Sequence, residues 1–268
     1  MGTARSRGLR PESGAGGLSA RRVLVTGLSG RIGGALLKHL GTAYELRGLN
    51  RRSVPGVPGH PADIADMDAI RPAFEGIDAV VHLAALADGS APLDAILRHN
   101  VVGTHNVFEA ARLAGVRRLI FASSGATVAG WEREMPYRAL VAGQYDGLSH
   151  WPLITHETPV RPTGLYGASK VWGEALARHY ADAHGLSMIC LRIGHVVTED
   201  RPLTIRDFSV WCSQRDIARM IGHALDAPDS VRFDVFFVVS DNRWGYRDVA
   251  HARDVLGWSP LDRAEDYR

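Results

Sequence analysis

The chain is nearly without lysine. Of its 31 basic residues only Lys38 and Lys170 are lysines; the rest are arginine. Cysteine is as scarce, and Cys190 and Cys212 are too few for a disulfide framework. No apolar run is long enough to span a bilayer, and there is no secretory apolar segment. Nor does either charge dominate. With Arg5, Arg7, Arg10 and Glu12 of the first twenty residues set aside, basic and acidic residues are equal in number. A neutral body of this kind gives neither nucleic acid nor an anionic membrane a footprint. The expectation is a cytoplasmic protein whose partner is a small molecule.

Residues 1–20, rich in Gly, Arg, Ser and Ala, read as a disordered leader. The remainder alternates between two kinds of segment. Short branched apolar runs suit buried strands at residues 23–25, 45–49, 79–83, 118–122, 187–193 and 235–239. Helical patterns fall at residues 32–40, 63–75, 94–114, 166–184 and 216–227, with a Pro/Gly-rich loop at 53–61 and a long irregular segment at 130–162. Strand–helix alternation predicts an α/β fold, a doubly wound parallel sheet. It loosens after His195. The expected division is a nucleotide-binding domain over 21–195 and a small C-terminal substrate lobe over 196–268.

Behind the first strand comes Thr26-Gly27-Leu28-Ser29-Gly30-Arg31-Ile32-Gly33. The first glycine permits the tight turn, the second lets backbone approach a pyrophosphate, and the third lets the helix pack closely on the sheet. The helix N-terminus then faces the phosphates. A dinucleotide is therefore expected, on Gly27, Ser29, Gly30, Arg31, Ile32 and Gly33. An acidic residue about twenty positions later would hold the ribose 2′-OH of NAD. Here Asn50 is followed by Arg51 and Arg52. Guanidinium groups suit a 2′-phosphate, so NADP is favoured over NAD; both are otherwise ordinary surface arginines.

The retained lysine lies in Tyr166-Gly-Ala-Ser-Lys170. Residues four apart share a helix face. An ammonium beside a phenol lowers the phenol's pKa, which makes a base for a carbinol proton. Ser123-Ser124 ends a strand, where one hydroxyl could bond the reacting oxygen; turn chemistry explains the pair equally well. Asn100 falls in a helix, where asparagine is a poor former, and is either a bridge towards Lys170 or a tolerated polar residue. His99, His105, His179 and His184 lack metal-ligand spacing, so no metal is expected.

The set Thr26-Gly27-x-x-Gly30-x-x-Gly33, Asp63, His82-Leu83-Ala84-Ala85, Asn100-Val101-x-Gly103-Thr104, Ser123-Ser124 and Tyr166-x-x-x-Lys170 resembles the extended short-chain dehydrogenase/reductase (NAD-dependent epimerase/dehydratase) superfamily. Leu256-Gly257-Trp258-x-Pro260 is similar to the same group. Within it, Arg161-Pro162-x-Gly164-Leu165-Tyr166, Leu191-Arg192-Ile193-Gly194 and Arg206-Asp207-Phe208-Ser209-Val210-Trp211 look most like uronate dehydrogenases. The resemblance implies a Rossmann fold and hydride transfer between NAD(P) and a carbinol or carbonyl, with Ser124, Tyr166 and Lys170 as the catalytic set. It adds Asp63, Ile64, Leu83, Ala84, Ala85, Asn100 and Ile193, with Tyr166 and Lys170, to the cofactor contacts. It places Ser124, Gly125, Ala126, His195 and Arg206 on the substrate, with Arg206 gripping the carboxylate of a sugar acid such as a hexuronate. It also implies a homo-oligomer paired through long helices.

Four departures stand out. Gly125-Ala126 replace an Asn-His pair of the family, a family serine is missing near Ala87–Ser90 unless Ser90 replaces it, Asn50 replaces its acid, and the segment between Ser124 and Tyr166 is longer. Other readings are a nucleotide-sugar epimerase or dehydratase, which needs a larger C-terminal domain than follows His195, and a reductase of a bulkier ketone, which Gly125-Ala126 would suit. A non-enzymatic cofactor sensor would not need Ser124, Tyr166 and Lys170 intact.

Overall fold

Runs such as Val23-Leu24-Val25 and Met188-Ile189-Cys190-Leu191 carry apolar side chains at successive positions, which face both sides of a sheet and demand cover on both. The computed structural model describes residues 21–268, so the leader expected over residues 1–20 lies outside the described residues. Its strands are β1 (Arg22–Thr26), β2 (Glu45–Asn50), β3 (Gly59–Pro61), β4 (Ala79–His82), β5 (Arg118–Ser124), β6 (Ser187–Ile193) and β7 (Phe233–Val238). They form one sheet in the order β3-β2-β1-β4-β5-β6-β7, with every pairing parallel. The helices are α1 (Arg31–Leu40), α2 (Met67–Ile70), α3 (Leu93–Ile96), α4 (Gly103–Leu113), α5 (Tyr137–Val141), α6 (Gly164–His184), α7 (Asp207–Val210), α8 (Gln214–Leu225) and α9 (Ala250–Leu256).

Two cores follow from the strand period of two. Val23, Val25 and Val81 join Leu36 of α1 and Ile217 and Ile221 of α8 on one face. Leu24, Val80 and Leu119 join Val107 and Phe108 of α4 and Ala177 of α6 on the other. Because all strands run the same way, their carboxyl ends share one edge. The order reverses between β1 and β4, and that is where crossover loops diverge to leave a crevice.

The structure modifies several expectations. The loop at 53–61 contains β3, a short edge strand ending on Pro61, where a missing N–H is tolerated. The helix expected over 63–75 is only α2 followed by a 3₁₀ turn, Arg71–Phe74, with Pro72 at its start. The long helix before β5 is interrupted by a π turn at Leu97–Val102 that contains Asn100. Residues beyond 195 contribute both a strand of the sheet and part of its cover. β7 pairs with β6 in the sheet, and α8 packs on α1, because both carry apolar faces that the sheet needs covered. What stands apart is a third core in which Val128, Tyr137, Leu140 and Ile154 of the long segment meet Trp244 and Tyr246. Trp131 and Trp151 pack there, their indole N–H groups donating to Pro159 O and Gly245 O.

Candidate active site

The glycine loop leaves β1 with Gly27 at φ +72°, and a Cβ there would lie 2.9 Å from Ala84 N. A Cβ at Gly33 would lie 2.2 Å from Leu28 O, so α1 can seat on the loop only with glycine at that position. Gly30 gives α1 no side-chain cap, which leaves its first N–H groups for an anion. Beside the loop lies a cavity of about 860 Å³. Gly27, Ser29, Gly30, Asn50, Arg51, Asp63, Ile64, Leu83, Ala84 and Ala85 line it, as expected from the sequence. Leu49, Arg52, Ser53, Ala62, Leu86 and His99 line it as well. The cradle, the uncapped helix end and the cavity's size fit a nicotinamide dinucleotide.

Individual side chains are committed in ways the sequence did not reveal. Asn50 accepts a hydrogen bond from Ser29 N at 3.2 Å and so braces the glycine loop. Asp63 accepts from Ala65 N at 3.0 Å and from Arg98 at 3.1 Å. Burial would raise its carboxyl; these partners and His99 bring it below its ordinary value. Arg31 reaches over to Val196 O and Thr198 Oγ1, tying the loop to the segment after β6. The side chain of Ile193 lies in the core, and the cavity does not include it. The direct partners of Asn100 are backbone and a serine of α6. Its amide accepts from Leu86 N at 2.7 Å and donates to Leu86 O at 3.0 Å and to Ser169 Oγ at 3.1 Å, fixing a cavity wall to α6. His82 sits between Thr26 and Thr104, and burial pushes it down to about 3, so it is neutral scaffolding.

The catalytic candidates meet at the carboxyl edge. α6 turns Tyr166 and Lys170 to the end of β5, where Ser124 lies near enough to the Tyr166 phenol to favour its ionised form. Ser124 Oγ also accepts from Ala126 N at 3.1 Å. Lys170 is buried, donates to Ala122 O at 2.6 Å and lies 5.7 Å from the Tyr166 ring centre. Ser123 points the other way, donating to Glu174 at 2.6 Å, and Glu174 holds Arg192 with two hydrogen bonds. Of the two serines, only Ser124 thus keeps its hydroxyl on the side of Tyr166. The expected lowering of the phenol is not what the fold produces. Burial raises Tyr166 and outweighs the opposing influence of Ser124, while burial also brings Lys170 down to about 7. A low-dielectric site disfavours both charged forms.

On the substrate side, His195 is half-exposed, and its Nδ1 lies 2.6 Å from Asp207 Oδ1. Burial would raise the Asp207 carboxyl, but His195 and the N–H groups of Leu203 and Thr204 hold it down at about 2. Arg206 does not present its two-pronged edge to the site. Glu132, from the long segment, takes Nε at 2.8 Å and Nη2 at 2.6 Å. Glu132 also accepts from Tyr246 OH at 2.5 Å and lies 3.7 Å from Arg247. Gly125 leaves room for Arg247, whose Nη1 would be 2.2 Å from a Cβ at that position. Ala126 places its N–H on Ser124 and its O towards Gly167 and Thr163, so it contributes backbone. Glu132, Tyr246 and Arg247 carried no motif, and their contacts cross more than a hundred residues of chain, as in Tyr246 to Glu132 (114) and Arg247 to Gly125 (122).

Comparison with known proteins places these features in context. The NAD dependent epimerase/dehydratase family model matches residues 23–256. A NAD-dependent glucose-6-phosphate dehydrogenase of Haloferax volcanii is 36% identical over 255 residues, covering 91% of this chain and 95% of the relative. An L-arabinose 1-dehydrogenase (NAD(P)(+)) of the same organism is 32% identical over 255 residues, covering 91% and 97%. The crystal structure of uronate dehydrogenase from Agrobacterium tumefaciens matches with a TM-score of 0.78 and 32% identity, over 92% of this chain and 87% of that one.

Proposed function

The chain belongs to the NAD dependent epimerase/dehydratase family, and on that premise we propose that it is a nicotinamide-dependent sugar dehydrogenase, oxidising a carbinol of a monosaccharide or reducing the matching carbonyl. The observation that carries the reading is the convergence of Ser124, Tyr166 and Lys170 at the sheet edge beside the glycine cradle. The relatives named for glucose 6-phosphate, arabinose and uronate support a sugar as substrate.

When bound, the dinucleotide supplies the hydride acceptor or donor. Gly27, Gly30 and the first turn of α1 would hold its phosphates, and the cavity wall from Leu83 to Leu86 would flank it. Ser124 donates a hydrogen bond to the reacting oxygen. Tyr166 exchanges the proton on that oxygen: protonated, it gives one to a carbonyl, and deprotonated, it takes one from a carbinol. Lys170 holds this end of α6 to Ala122 O beside the phenol. Asn100 positions this helix through Ser169, whose hydroxyl also donates to Tyr166 O.

Arg51 and Arg52, exposed on the cavity wall with no carboxylate at Asn50, support NADP over NAD. A homo-oligomer is supported by Leu93, Leu97, Val102 and Leu113, which remain exposed along the helical stretch before β5. A panel of NAD and NADP against aldoses, uronates and sugar phosphates, read by nicotinamide absorbance, tests the function. Turnover of sugars is expected; turnover only of bulky ketones would replace the reading.

A further inference from the structure

The strands are parallel, so their first residues share the amino edge of the sheet, opposite the active site. A second cavity, of about 390 Å³, opens at this edge between the starts of β5 and β6 and the ends of α4 and α6. Five guanidiniums line it: Arg21, Arg112, Arg117, Arg118 and Arg232. Among the described residues, Asp229 is the one carboxylate in its wall, and the Asp229 side chain is fully exposed.

The five cations are committed unequally. Glu109 takes Arg112 through two hydrogen bonds, at 2.9 and 2.6 Å. Arg21 and Arg118 both donate to Leu225 O at the end of α8, and Asp226 lies 3.7 Å from Arg21. Arg118 also donates to Ala227 O, Pro228 O and Ser187 Oγ, and Arg232 donates through Nη2 to Gly185 O behind α6. Carbonyls at helix ends carry only partial charge, so these bonds satisfy the donors and offset part of the cationic charge. Arg118 is the group least matched. Only 3% of its side chain is accessible, yet its nearest carboxylate is Asp229, 3.9 Å away. Buried charges ordinarily have a close counter-charge. Burial lowers the Arg118 guanidinium from its ordinary value, and Arg21 and Arg117 add to that lowering against Asp229 and Asp226. Arg117 is exposed, and among the described residues its guanidinium has no hydrogen-bonding or ion-pair partner. Arg21 Nε is buried and also lacks one.

We infer that the amino-edge cavity is a second ligand site, which takes a phosphate or polyphosphate group on Arg21, Arg117 and Arg232 with the buried charge of Arg118 behind them. Against the five guanidiniums stand three carboxylates, Asp229, Asp226 and Glu109, so positive charge is in excess before a ligand arrives. Planar guanidinium forks match the oxygens of a phosphate, and the unpartnered N–H groups of Arg117 and Arg21 are donors for them. The anion would also relieve the crowding of Arg21 and Arg117 on Arg118. The site is separate from the glycine cradle. Arg118 opens β5 and Ser124 closes it, which sets the two ends about 20 Å apart at a rise of about 3.3 Å per residue. The inference therefore goes beyond the sugar-dehydrogenase reading and does not depend on it.

The test is calorimetric titration of the full chain with orthophosphate, pyrophosphate and ATP, each against sodium chloride at matched ionic strength. Two double variants locate the binding. Arg117→Gln with Arg232→Gln removes two exposed cations of the amino edge, and Arg51→Ser with Arg52→Ser removes two beside the glycine cradle. Wild type is expected to bind pyrophosphate above the chloride level. The first variant should raise the Kd by about tenfold or more, and the second should leave it within about twofold. Thermal melts of the first variant should match wild type in the absence of phosphate, because both altered side chains are exposed. With that pattern in hand, tighter binding of ATP than of pyrophosphate identifies a nucleotide as the source of the phosphate, and the reverse identifies a free polyphosphate. Binding of all three anions no better than chloride overturns the inference. So does an unchanged Kd in the Arg117/Arg232 variant, or a loss confined to the Arg51/Arg52 variant, which would place the anion on the glycine loop.

Discussion

Ser123 and Ser124 are neighbours in β5, yet their hydroxyls are committed differently: Ser123 donates to Glu174, and Ser124 accepts from Ala126 N beside Tyr166. The strand's period of two turns Ser123 towards Glu174 and leaves Ser124 for the proposed chemistry. Ser124→Ala should lower kcat by about 10²–10³, the usual loss for one donor to the reacting oxygen. Ser123→Ala should keep kcat within a few-fold and lose about 1–3 kcal/mol of stability, because it leaves the buried Glu174 short of a donor. Denaturant titration and steady-state kinetics of both variants separate the two roles.

The pH dependence follows from burial of Tyr166. Its phenol is raised, so the protonated form prevails at neutral pH. Oxidation needs the deprotonated form and should speed up as pH rises from neutral into the alkaline range. Reduction needs the protonated form and should hold steady and then fall over the same range. Rate profiles run in both directions check this, and parallel profiles would contradict it.

Lys170 carries a stability cost that runs with pH. Its folded-state value of about 7 is below the ordinary lysine value of 10.5, so between these limits the unfolded chain binds more protons. Wild-type stability must therefore rise with pH through that window and be poorest below it. Lys170→Met removes this slope, so its stability relative to wild type should improve as pH falls from 10 to 7. The limiting slope is about 1.4 kcal/mol per pH unit. Thermal melts across this window measure it. The variant should also lose activity.

Arg51 and Arg52 line the cavity and are the proposed seat of a 2′-phosphate. Replacing both with serine should raise KM for NADP by about tenfold or more, since a charge-assisted contact is worth about 1.5–3 kcal/mol, and leave KM for NAD nearly unchanged. Equal losses for both cofactors would assign the arginines to the loop rather than to a 2′-phosphate.

Gly125 is held open for Arg247. Gly125→Ala should force the buried guanidinium aside and cost about 1–3 kcal/mol, as overpacking does. Chemical denaturation measures the loss, and a neutral substitution would show that Arg247 moves freely.

Much of this was legible in the sequence, for local reasons. The strand at residues 187–193 and the end of α6 at Gly185, which adopts φ +67°, follow from apolar runs and the helix-stop rule. The glycine loop announced its own geometry through spacing. β3 was not legible, because Gly59-His60-Pro61 has no apolar pattern and owes its strand form to pairing with Gly48–Asn50. Asn100 signalled itself as a polar residue in a helix, but its partner Leu86 did not. The filling of the Arg206 edge was beyond reach of any local rule. It depends on Glu132, 74 residues away, brought back by the packing of Tyr137 and Leu140 against Tyr246.

The central claim is that Tyr166 moves the proton in a hydride transfer. Its most direct test is the rate of nicotinamide reduction by the preferred sugar at saturating cofactor, for wild type and for Tyr166→Phe. The account predicts that the variant binds the dinucleotide with nearly unchanged affinity and loses about 10²–10⁴ in kcat, the range supplied by a positioned general base. A variant that retains most of the wild-type rate would contradict it.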